Sequence, residues 1–100
     1  MNENYIKASR IMEHYGTQHQ LTKLCEECGE LIQQACKCVD SGRPFSEEFV
    51  EELADVRVLT IQFETVMNTY WRREFENAVR FKLDRQLDRI ATESEVRNDP

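Results

Sequence analysis

The stretch that decides the fold runs Leu21, Thr22, Lys23, Leu24, Cys25, Glu26, Glu27, Cys28, Gly29, Glu30, Leu31, Ile32. Its apolar positions return every third or fourth residue and continue through Ala35 and Val39, the signature of an amphipathic helix about six turns long. At about 100° per residue, the apolar arc centres near Cys28 and Val39. Glu27 sits at one edge of that arc and Glu30 about 60° further round, so the two carboxylates project in neighbouring directions from successive turns.

Working outward, residues 4–15 form a shorter helix through Tyr5, Ala8, Met12 and Tyr15, closed by Gly16. Thr17 reads as the N-cap of the long helix, with Gln20 in the capping-box position. Gly42 and Pro44 end that helix within the stretch 40–44. Ser46 then caps a third helix, Glu47 and Glu48 suit its positive N-terminus, and Phe45 is placed to staple against Val50. Phe49, Leu53, Val56, Leu59, Phe63, Val66 and Met67 make its main apolar strip. Val50, Ala54, Val58 and Ile61 make a second one, which points to cover on two faces. After a break near 68–71, Phe75, Val79, Leu83, Leu87 and Ile90 trace a fourth helix to about Ala91. The predicted domain is 1–91, and the polar tail 92–100 is expected to fray.

The chain has 100 residues, enough for one modest core. Only three Gly and two Pro leave too little turn chemistry for a many-stranded sheet, so the expected fold class is all-α, a helical bundle. Against 13 Lys and Arg stand 19 Asp and Glu, a net charge of −6 that argues against a coat for nucleic-acid polymers. No apolar run reaches the roughly 20 residues of a membrane span, and the first residues do not pair a basic segment with an apolar one. A cytoplasmic location is the expectation.

Four cysteines, Cys25, Cys28, Cys36 and Cys38, invite a zinc reading. Their C-x-x-C lies inside a helical pattern instead of the turn that structural zinc sites use, so packing is the preferred role. The carboxylates say more. On the third helix Glu52 falls inside the apolar arc, between Leu59 and Phe63 in projection, with Asp55 about 60° outside it. An ionised carboxylate there needs a cation. If the second and third helices form an antiparallel hairpin, Glu27, Glu30, Glu52 and Asp55 meet at similar height and make a hard-oxygen site suited to Mg²⁺, with Mn²⁺ as substitute. A ferritin-like di-iron site is disfavoured, because neither His14 nor His19 follows a glutamate by three residues.

Glu26, Glu27, Cys28, Gly29, Glu30, then 21 residues, then Glu52, Leu53, Ala54, Asp55 resembles the E-E-x-x-E and E-x-x-D signature of the MazG-like all-α nucleoside triphosphate pyrophosphohydrolases. Residues 19–31, 51–56 and 82–90 extend the likeness over roughly 15–91. The resemblance implies cleavage between the α and β phosphates, with Glu27, Glu30, Glu52 and Asp55 as Mg²⁺ ligands and Glu26 assisting or orienting the attacking water. It also implies a homodimer or homotetramer whose paired helices complete a four-helix bundle, and triphosphate contacts from Lys82 and Arg85. Lys82 and Arg85 are equally placed to pair with Asp84 and Asp88 at the surface. Trp71, Tyr15, Phe45 and Tyr70 are candidates for base stacking on chemistry alone. His14 and His19 could contact substrate but suit capping or surface roles better. Alternatives are an enzyme confined to dUTP or dCTP, a helical interaction module without turnover, and a zinc-binding adaptor.

Overall fold

The computed structural model describes residues 2–98, all of whose regular structure is helical. Helix α1 spans Glu3–Tyr15, α2 Thr17–Ser41, α3 Glu47–Val66 and α4 Thr69–Asn98. The chain divides into two compact units, Met1–Val66 and Met67–Pro100, where the sequence suggests one domain to 91. No described helix is long and apolar enough to cross a membrane.

In the first unit the helix ends follow local chemistry. Asn2 caps α1, its side-chain oxygen accepting the Asn4 N–H at 2.8 Å. Gly16, at φ +83°, donates its N–H to the Met12 carbonyl at 2.8 Å and also stands in the N-cap position of α2. Because one glycine serves both helices, Thr17 is already helical and the expected Thr17 cap does not form. Gln20 is buried instead and bonds to α3. Gly42 closes α2 at φ +71°, a left-handed conformation that a side chain would strain. Ser46 does cap α3, accepting the Phe49 N–H at 3.0 Å. Phe45 lies near the Phe49 ring, 6.3 Å between centroids.

Helix α3 is the centre of this unit, packing against α2 along one side and α1 along another, while α1 and α2 meet less extensively. Residue 20 of α2 meets 62 of α3, 27 clusters with 52 and 55, and 38 approaches Ser46 at the hairpin base. The descending order is that of an antiparallel pair. The buried centre combines Ala8, Met12 and Leu59 with three polar side chains, Gln20, Glu27 and Gln62. The second α3 strip is largely uncovered, with Val50, Ala54 and Val58 exposed and Ile61 half-buried.

The second unit is α4 with the residues before it. The Asn68 side chain accepts the Trp71 N–H at 2.9 Å and its carbonyl accepts from Arg72, starting the helix at the expected break. Phe75, Val79, Leu83, Leu87 and Ile90 are exposed along it. The sequence places the helix end near Ala91, yet α4 continues to Asn98. Residues 91–98 contain no Gly or Pro, so propensity carries the helix on after the apolar repeat has stopped. The last two residues of the expected fraying tail lie outside the described residues.

Candidate metal centre

Glu27, in the third turn of α2, is 8% exposed, rare for a carboxylate without a partner. Four residues earlier on the same helix, Lys23 brings its ammonium to 3.4 Å from Glu27 Oε1 and 3.5 Å from Glu26 Oε2. This pairing raises the Lys23 pKa, chiefly through hydrogen bonding to Glu27 and attraction to it. It satisfies only one oxygen of Glu27. Glu27 Oε2 is buried with no hydrogen-bond donor, and so is Glu52 Oε2 across on α3.

Glu52 and Asp55 lie one turn apart on α3. Together with Glu27 they bring one carboxylate oxygen each to within 4.8 Å of one another. Asp55 is exposed and Glu52 half-buried, so the group opens outward from a buried end. The pKa of Glu52 is pushed up from 4.5 to about 7. Burial is the largest cause, followed by repulsion from Glu30, hydrogen bonds to Glu27 and Glu30, and repulsion from Glu27. Two carboxylates share a hydrogen bond only if one holds a proton. When all are ionised, the buried oxygens have no donor at all.

That arrangement fits a metal ion. Three carboxylates converge, two buried lone-pair groups lack partners, and the donors are all hard oxygens of the kind divalent cations such as Mg²⁺ and Mn²⁺ prefer. Of the four sequence-predicted ligands, Glu27, Glu52 and Asp55 meet as expected. Glu30 is exposed and outside the mutually close set, although it is near enough to repel Glu52. Glu26 is exposed and paired with Lys23. Cys25, Cys28, Cys36 and Cys38 are free thiols, and among the described residues no cysteine joins a ligand cluster. Lys82, Arg85 and Trp71 all belong to α4. There Arg85 lies 5.8 Å from the Phe81 ring centroid and Trp71 stands edge-on to Tyr70 at 5.0 Å.

One constellation was not foreseen. Gln20 Nε2 donates to Gln62 Oε1 at 2.8 Å with both residues buried, and Gln20 Oε1 lies 2.7 Å from His19 Nδ1. An amide oxygen only accepts, so His19 Nδ1 carries the proton in this bond. The signal available was Gln62 itself, a polar residue in the α3 strip between Leu59 and Val66. No protein-family model, no curated protein and no solved structure matches the chain.

Proposed function

We propose that this chain is a metal-dependent nucleoside triphosphate pyrophosphohydrolase, with Mg²⁺ held by Glu27, Glu52 and Asp55 and with Glu30 at the open edge. The observation that carries the reading is the pair of buried, donorless oxygens, Glu27 Oε2 and Glu52 Oε2, inside a carboxylate group that closes on itself. The resemblance of its two acidic blocks to the MazG-like signature supplies the reaction class. In the overall step, water oxygen bonds to the α phosphorus, the bond from that phosphorus to the α–β bridging oxygen breaks, and monophosphate and pyrophosphate leave.

A divalent cation, when bound, polarises phosphoryl oxygens, masks their charge and makes the attacking water more acidic. The chain's residues supply the rest. Glu27 and Glu52 fix the buried side of the site from two helices, and Lys23 holds Glu27 by one oxygen while the other is buried without a partner. Glu26, exposed beside them, is the residue assigned to orient water and receive its proton. Lys82 and Arg85 are assigned to the triphosphate on the resemblance. The assembly that goes with this reading is a homodimer or homotetramer in the cytoplasm, burying the apolar strip of α3 and stripe of α4 that stand exposed.

The test is a panel of nucleoside and deoxynucleoside triphosphates with pyrophosphate as readout, run with Mg²⁺, with Mn²⁺ and with chelator. Release should require the cation and fall at least about a hundredfold in Glu52→Gln. Hydrolysis of dUTP or dCTP alone would narrow the substrate. Absence of release from every nucleotide would replace the enzyme with a helical interaction module.

A further inference from the structure

A recess of about 520 Å³ opens at the α1–α2 junction, lined by Tyr15, His19, Gln20, Thr22, Lys23 and Glu26. Its size falls within the roughly 300–1,000 Å³ common for small-molecule sites. Two aromatic rings stand on it, Tyr15 and His19, stacked 4.8 Å apart with 17° between their planes. Both residues are exposed, yet the imidazole is not loosely held. Gln20 fixes it from beneath at 2.7 Å, and Gln20 is in turn fixed by Gln62, 2% exposed in the centre of the unit. A buried amide pair is thus committed to orienting one surface ring.

Charge indicates which part of a ligand belongs there. The cation on the recess wall, Lys23, is engaged by Glu26 and Glu27, so no spare positive charge is offered to phosphate. Lys23 also connects the recess to the carboxylate group, since the ammonium that lines the one lies 3.4 Å from Glu27 Oε1 of the other. Phosphates are accounted for on the carboxylate side through the cation. What remains for the recess is flat, aromatic and hydrogen-bonding.

We propose that this recess binds the heteroaromatic ring of the nucleotide, with Tyr15 supplying the stacking face and His19 Nε2 accepting an N–H from the ring's edge. The ligand class rests on the nucleotide reading above. Because Nδ1 donates toward Gln20, Nε2 is the ring nitrogen left to accept, and the ligand ring must present a donor to it. Stacking on an aromatic side chain tolerates every base, so Tyr15 contributes affinity and His19 contributes choice.

The experiment titrates the full chain with ATP, GTP, CTP and UTP in the presence of Mg²⁺, following the Tyr15 and His19 ring resonances by NMR. Inorganic tripolyphosphate, which has the phosphates and no base, is the control. Pyrophosphate release is measured on the same samples and on Tyr15→Leu. At least one nucleotide should shift both rings while tripolyphosphate leaves them in place. Tyr15→Leu should raise KM for that nucleotide about tenfold with kcat within about twofold. Rings unmoved by every nucleotide, or moved equally by tripolyphosphate, overturn the recess assignment even if pyrophosphate is released. Rings that respond to a nucleotide without pyrophosphate release uphold the recess and overturn the hydrolase.

Discussion

Glu52 concentrates the chemistry of this protein in one side chain. Its place inside the apolar arc of α3 follows from counting 100° steps along the sequence, and the structure shows the consequence, a pKa pushed up to about 7 by burial and by Glu30 and Glu27. The folded protein holds a proton at Glu52 that the unfolded chain releases near 4.5, so this group's contribution to stability is fully present below 4.5 and lost as pH rises through 7. In chelator, Glu52→Gln should therefore melt above the parent at pH 8 and converge with it near pH 5. Thermal melts at both values check this; no gain at pH 8 would show that the carboxylate is not strained there. Residue-scale reading failed where two roles share one residue type. Gln20 three residues after Thr17 matches a capping box, and only the tertiary partner Gln62 reveals its actual use.

At the scale of elements, the helices were legible because periodicity, glycine stops and the Ser46 cap all act locally. Boundaries were missed where the controlling force was not periodic: Gly16 serving two helix ends, and α4 running to Asn98 on propensity alone. What joins α2 to α3 is partly polar, and that can be probed separately from the metal centre. Gln62→Leu strands the buried Gln20 amide and should cost about 1–3 kcal/mol in urea unfolding. The double change Gln20→Leu with Gln62→Leu should recover most of the loss, because no buried donor is then left alone. Additive losses would mean that the two amides do not act as a pair.

Taken whole, among its described residues the first unit buries only the apolar side chains Ala8, Met12 and Leu59, while Val50, Leu53 and Val58 stand near half exposed at 49%, 47% and 47%. The two-faced pattern of α3 is visible in the sequence, but which face meets another helix of the same chain is a matter of packing that periodicity does not encode. On the proposed assembly, sedimentation should show a dimer or tetramer that dissociates in Val58→Asp; a parent that remains monomeric at about 100 μM would contradict it. The net charge of −6 belongs to this scale as well, since an acidic chain can take an anionic substrate at a carboxylate cluster only if cations accompany it. The most direct measurement is a Mn²⁺ titration followed by electron paramagnetic resonance at pH 8, where Glu52 is ionised. The free-ion signal should be depleted by the parent protein and restored by Glu52→Gln. A signal that the parent leaves unchanged, or that both proteins deplete equally, would contradict a cation site at Glu27, Glu52 and Asp55.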